Sequence, residues 1–262
     1  MNTQQLLDPL PIVGVFILFA LFTLVVYEAG FRVGRWWQKR TPEEAEGPTG
    51  MLVGSLFALM AFLLAVTMGM AADRFDARRG LVLDEANSIG TTYLRAGFLP
   101  EPSSTEVREL LREYVPLRIN VADQERLLAN FARSQEILAE LWAITEALEP
   151  DLAGSETFAL FVETLNETID LHESRIAAII YARVPETVLL LLILGSALTL
   201  GMVGYSAGLT RRRSPITAVV LVIVLGAVIT IVVDLDRPRD GFLQVSQQPL
   251  VDLQEQIGAP SP

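Results

Sequence analysis

Four stretches of the chain are apolar without a break over lengths that match a bilayer. They are residues 10–27 (LPIVGVFILFALFTLVVY), 51–72 (MLVGSLFALMAFLLAVTMGMAA), 187–206 (TVLLLLILGSALTLGMVGYS) and 216–233 (ITAVVLVIVLGAVITIVV). Each holds 18–22 residues with no ionised side chain, against about 20 needed to cross a hydrocarbon core as a helix. None is strongly two-faced, which suits helices that touch lipid on one side and protein on the other. The pattern predicts four transmembrane helices. The first is read as retained, because its flank MNTQQLLDP has no Lys or Arg and no small-residue cleavage site follows it.

Residues 73–184 are different. Polar positions dominate, and the apolar ones recur at helical spacing. Ser103 with Glu106 three residues on reads as a capping box, and Pro116 should kink or divide the helix behind it. Leu127, Leu128, Phe131, Leu138, Leu141, Trp142 and Leu148 form one helical stripe, EPDLAGSE reads as a turn, and Phe158, Phe161, Val162, Leu165, Ile169, Ile176 and Ile180 form another. That last helix is expected to run from near Ser155 to Val184. No strand pattern occurs. The predicted fold is all-α, a four-span helical membrane protein with a helical extramembrane block between spans two and three. Its parts are residues 1–72, 73–184, 185–234 and a C-terminal tail, 235–262, read as irregular.

The second span runs straight into charge, in MGMAADRFDARRGLVLDEANSIG. No proline lies between Thr49 and Leu99, so one helix of roughly 45 residues, about 65–70 Å long, is predicted from Met51 to about Ala96. Past the membrane, Phe75, Val82, Ala86, Ile89 and Tyr93 make a narrow coiled-coil-like stripe. Within the span, Gly54, Ala58, Ala61, Ala65, Gly69 and Ala72 share a small-residue face suited to helix packing. Leu56, Met60, Leu63, Thr67, Met70 and Arg74 share the other face. That face touches lipid, or, with several copies around an axis, lines a pore. Asp73, Asp76, Arg78, Asp234 and Asp236 are the matching candidates for vestibule charges, or else a solvated belt of paired charges that includes Arg237 and Arg239. An acidic rim that binds cations is a third reading of Asp234 and Asp236. Gly204 and Gly208, four apart, are a packing motif of the third span.

Composition removes other functions. There is no cysteine and one histidine, which excludes thiolate and multi-histidine metal sites. The net charge is −11, and residues 73–184 supply 20 Asp/Glu against 11 Arg, so nucleic acid is not an expected partner. No catalytic residue, metal site or cofactor is assigned, and an enzyme is not expected. His172 lies on an apolar helix face, where a packed, hydrogen-bonded histidine is the first reading and a pH sensor the second.

The segments DRFDARRGLVLDEANSIGTTYLRAGFLP, VVDLDRP and VSQQPL resemble those of the bestrophin-like family of bacterial membrane proteins, over essentially the whole chain. Asp73, Arg74, Phe75, Asp76, Ala77 and Arg78 are similar to the stretch that follows the second span of bestrophins. Bestrophins are pentameric anion channels. The resemblance therefore implies a homo-oligomeric ion channel in the bacterial inner membrane, anion-conducting, lined by the second span. The alternative from a different class is a non-conducting sensor that binds a protein partner through its acidic block. Membrane lipid is the one partner both readings share.

Orientation follows from the short loops. FRVGRWWQKR and LTRRRS together carry seven Lys/Arg, and the positive-inside rule places them in the cytoplasm and the block in the periplasm. Bestrophin topology would place the block in the cytoplasm.

Overall fold

The computed structural model describes residues 8–41, 49–119, 124–211, 213–238 and 241–259. Among these, every regular element is a helix: α1 (Ile12–Gln38), α2 (Thr49–Arg95), α3 (Ser103–Arg118), α4 (Gln124–Leu152), α5 (Glu156–Ile180), α6 (Glu186–Leu209), α7 (Pro215–Asp236) and α8 (Gln248–Ile257). Four of them, α1, α2, α6 and α7, are long and apolar enough to cross a membrane. The chain divides into two compact units. One is Met1–Phe75 with Tyr181–Gln244, and the other is Asp76–Ile180 with Val245–Pro262.

The first unit is held by shape. In hydrocarbon there is no water to drive helices together, so close backbone approach supplies the attraction. α1 lies along α6 with glycine meeting backbone from both sides. A side chain on Gly204 would strike the Tyr27 carbonyl, and one on Gly30 the Gly201 carbonyl; Gly208 lies against Phe31 in the same way. Around this contact Phe19, Met60, Leu192, Leu200, Val222, Leu225 and Ile229 form an apolar core. Its hydroxyls bond back to their own helices: Thr23 to the Phe19 carbonyl at 2.8 Å, Ser196 to Leu192 at 2.7 Å and Thr199 to Gly195 at 2.8 Å. This satisfies each polar group without a partner helix. Ser214 caps α7, accepting from the Thr217 N–H, with Pro215 in the first turn where no donor is needed.

The second unit has an ordinary water-driven core. Val82, Ala86 and Ile89 of α2 meet Val107, Leu111 and Tyr114 of α3, Ile137 and Leu141 of α4, Phe161 and Leu165 of α5 and Leu250 and Leu253 of α8. α8 ends at Gly258, whose left-handed φ of 67° lets Ala259 N–H return to the Gln254 carbonyl at 3.0 Å.

Several boundaries differ from the sequence expectation. α1 does not stop at Tyr27 but continues through the basic segment to Gln38. α5 ends at Ile180 rather than Val184. Ser103 is the first helical residue and makes no capping bond; Glu101 takes that role, accepting from the N–H and hydroxyl of Thr105 at 3.3 and 2.7 Å. Pro116 and Pro150 each sit in the last turn of a helix, which ends two residues later. The C-terminal tail is not irregular, since α8 buries Leu250, Leu253 and Ile257. Its i, i+3, i+7 spacing was readable, but ten residues with three glutamines make a weak helix without a core to dock on.

Two substitutions separate these modes of packing. Gly204→Leu should lower the melting temperature of the purified protein in detergent, by overpacking equivalent to about 1–3 kcal/mol or more. Gly80→Ala, in open space on α2, should leave it unchanged or raise it, because alanine favours a helix interior by up to about 1 kcal/mol.

Candidate functional site

α2 is the span with the fewest partners in its own protomer. Of its most apolar window, 11% is buried, against 28%, 33% and 39% for α1, α6 and α7. The residues it does bury are Met60, Thr67 and Ala71. Met60 Sδ accepts from Ser196 Oγ at 3.7 Å and lies against Gly195, and Thr67 Oγ1 bonds back to the Leu63 carbonyl at 2.7 Å. Leu56, Leu63, Met70, Ala72 and Arg74 are half-buried, while Gly54, Ala58, Ala61, Ala65 and Gly69 are exposed, with Leu59, Phe62 and Val66 among them. At 100° per residue Ala58, Phe62, Ala65 and Gly69 lie diametrically opposite Met60 and Thr67.

Of the residues expected on a lipid-facing or lumen-facing side, Met60 and Thr67 are thus buried within the chain itself, at 2% and 1% exposure. The sequence misled because the small residue that meets Met60, Gly195, is on α6 and not on α2. A helix apolar all round gives no period from which to read which side faces in.

In the second unit α2 carries a different feature. Glu85 is fully buried, and both its oxygens are taken. Arg118 Nε of α3 donates to Oε1 at 2.7 Å, and Arg175 Nη1 of α5 donates to Oε2. The Tyr114 hydroxyl reaches Oε1 at 3.3 Å and His172 Nδ1 at 3.1 Å. Arg175 Nη2 continues to the Arg118 carbonyl at 3.4 Å and to Gln247 Oε1 at 3.3 Å. Beside it Ser88 Oγ and Thr92 Oγ1 meet Thr168 Oγ1 at 2.8 and 3.2 Å. Three helices and the segment before α8 are thus tied through one carboxylate.

His172 is packed in this cluster, as its apolar neighbours suggested, but only half satisfied: its Nε2 is buried with no hydrogen-bond partner. Burial, and then the positive charge of Arg118, hold its pKa down to about 4, with Glu85 pulling the other way. Burial likewise pushes the Tyr114 hydroxyl up. The signal for this cluster in the sequence was Glu85 itself, an acid three residues after Val82 on the apolar stripe.

Where α7 leaves the apolar region, Asp234 and Asp236 are 3% and 1% exposed and both are engaged. Asp236 accepts from the Val184 N–H at 2.6 Å and from Arg183 Nε at 3.3 Å, while Arg183 also grips Asp8 with two bonds of 2.6 and 2.8 Å. Asp234 accepts from the Phe242 and Leu243 N–H groups at 2.9 and 3.0 Å, and Arg237 Nη2 donates to the Leu10 carbonyl at 2.8 Å. Both aspartates, expected as vestibule charges, a paired belt or a cation-binding rim, are buried in this chain and engaged by its own donors. They hold backbone and Arg183, and Arg239 lies outside the described residues. Of the other vestibule candidates, Asp73 and Asp76 are exposed and Arg78 is 5% exposed. Among the described residues no group of three or more His, Cys, Asp or Glu is gathered to hold a metal ion.

These features define a class, a four-span helical membrane protein with a helical block inserted after its second span. The chain belongs to the bestrophin-like family, whose domain model matches residues 16–250. Its fold is that of a bacterial bestrophin homolog from Klebsiella pneumoniae, seen in several crystal structures. One point mutant aligns with a TM-score of 0.68 at 14% identity, over 94% of this chain and 97% of that one. The structure phased on zinc gives 0.66 at 15%, over 94% and 95%, and another point mutant 0.63 at 17%, over 94% and 96%. No curated protein matches the chain.

Two variants test the cluster. Glu85→Gln leaves two buried guanidinium groups without their anion and should destabilise the protein by about 3–5 kcal/mol, measured by chemical unfolding in detergent. Because the folded pKa of His172 lies below its unfolded value, the stability it contributes is present above about pH 6.5 and is lost as the pH falls toward 4. Melting curves at pH 7, 5.5 and 4.5 should therefore fall less steeply for His172→Gln than for the unaltered chain.

Proposed function

We propose that the protein is an oligomeric ion channel whose conduction path is lined by α2, with Ala58, Phe62, Ala65 and Gly69 facing the axis. The observation that carries this is the outward face of α2. It is the least buried of the four spans and carries small residues at helical spacing with one large aromatic among them. Small residues let copies of a helix approach closely. A ring of Phe62 side chains would then form a hydrophobic constriction of the kind that gates by dewetting. The resemblance to bestrophins supports several copies around one axis, five if the bestrophin arrangement holds.

The exposed charge favours cations over the anions that the resemblance implies. Arg74 is half-buried and Arg78 buried, whereas Asp73 and Asp76 are exposed within about 40° of the Phe62 direction, and Arg79, also exposed, lies about 100° round the helix from it. An acidic ring at a pore mouth raises the local cation concentration. The short basic loops support an orientation with the acidic block on the periplasmic side of the inner membrane.

The chain has no cysteine, so single-cysteine variants report alone. Purified protein in planar bilayers should pass current with a reversal potential that follows potassium across a KCl gradient, and Asp73→Asn should weaken that preference. Thiol reagents should block Ala65→Cys at least tenfold faster than Met60→Cys. A reversal potential that follows chloride defeats the cation assignment but keeps the channel. Silent bilayers with verified insertion defeat the channel and leave the non-conducting, partner-binding reading. A membrane-impermeant maleimide added to intact spheroplasts should label Glu149→Cys, in the block; labelling only after lysis reverses the orientation.

A further inference from the structure

An exposed Phe–Leu pair is presented by a buried acid at the end of a membrane span. Phe242 is 76% exposed and Leu243 43% exposed. Their backbone is fixed: both N–H groups donate to the carboxylate of Asp234, at 2.9 and 3.0 Å. Asp234 is 3% exposed. The preceding residue, Gly241, lies so close to the same carboxylate that a side chain there would strike it. A buried aspartate and a glycine thus hold two apolar side chains outward, where water would be the worst neighbour for them.

Depth is fixed by the same bonds. The apolar part of α7, residues 216–233, is about 27 Å long at 1.5 Å per residue, close to the roughly 30 Å of a hydrocarbon core. Asp234 therefore stands at the boundary, and Phe242 and Leu243 are one hydrogen bond away from it. Tyr181, 70% exposed, lies in the turn that leads into α6 at the same end of the spans. At the opposite end Trp36 and Trp37 are exposed, with Arg40 stacked 4.0 Å over the Trp36 ring. Aromatic and apolar side chains of this kind concentrate at headgroup depth.

We infer that Phe242 and Leu243 form an interfacial anchor that enters the boundary between phospholipid headgroups and acyl chains, with Asp234 as the residue that aims it. The occupant is lipid, because a backbone locked to the last turn of a span leaves the pair at bilayer depth whatever the rest of the chain does.

Phe242→Cys and, as an independent variant, Leu243→Cys are labelled with an environment-sensitive nitrobenzoxadiazole group and reconstituted in phosphatidylcholine–phosphatidylglycerol vesicles. Glu149→Cys, exposed on the block, is the aqueous control. Lipid carrying a nitroxide at acyl carbon 5 should quench the 242 and 243 labels at least twofold more than the 149 label. Aqueous iodide should quench them at least twofold less. Iodide quenching equal to that at 149 overturns the inference, because the pair then sits in water. Protection from both quenchers also overturns it, because protein then covers the pair, whether another part of this chain or a second copy. Either result is independent of whether the protein conducts.

Discussion

One stripe of one helix has to satisfy two solvents. The buried positions of α2 are Met60, Thr67 and Ala71 in the apolar unit and Arg78, Val82, Glu85, Ala86, Ser88, Ile89 and Thr92 in the polar one. Most of them recur at intervals of three, four or seven residues, with Ala86 and Ser88 widening the stripe in the polar unit. That is the spacing of a helix packed along a narrow seam, and it does not change where the surroundings change from hydrocarbon to water. What changes is the chemistry: a thioether and a back-bonded hydroxyl before the boundary, ion pairs and apolar side chains after it. In the apolar unit Gly195 of α6 packs on Met60, and in the polar unit α3, α5 and α8 pack on α2.

The two parts are held by different forces, and the residue choices follow. Where lipid is the solvent, burying apolar surface yields little, so α1 and α6 rely on glycines that bring backbones into contact. Where water is the solvent, large side chains carry the core, and Tyr114, Phe161 and Leu141 are fully buried. On α2, Gly54, Ala58, Ala61, Ala65 and Gly69 are exposed, whereas Ala71 is buried.

Much of the architecture is legible in the sequence. The four spans, the helical block and the unbroken α2 follow from run length, from period and from the missing proline. The inside of the membrane unit could not be read. Apolar side chains carry no polarity contrast there, and Met60 and Ala58 are equally suited to lipid and to protein. The buried charges were missed for the opposite reason. Glu85, Arg118 and Arg175 look like surface residues by type, and only the 90 residues separating Glu85 from Arg175 in sequence, closed by the fold, make them partners. Asp234 and Asp236 show the same effect: an acid at a span end reads as solvent-facing, but here it substitutes for a missing helical turn by binding backbone N–H groups.

A seam with heptad-like spacing has a weakness, which is that a shift of one heptad preserves its apolar pattern. The position of Glu85 removes that freedom. Moving α2 by seven residues in one direction would bring Arg78 toward Arg118 and Arg175, setting three guanidinium groups together with no anion. Moving it the other way would bring Thr92, which offers those two cations no charge. Either slip forfeits a buried ion network and leaves charges unpaired in a low-dielectric interior, at several kcal/mol. An apolar residue at position 85 would pack as well and specify less. The carboxylate thus fixes the register of α2 against α3 and α5 within the block.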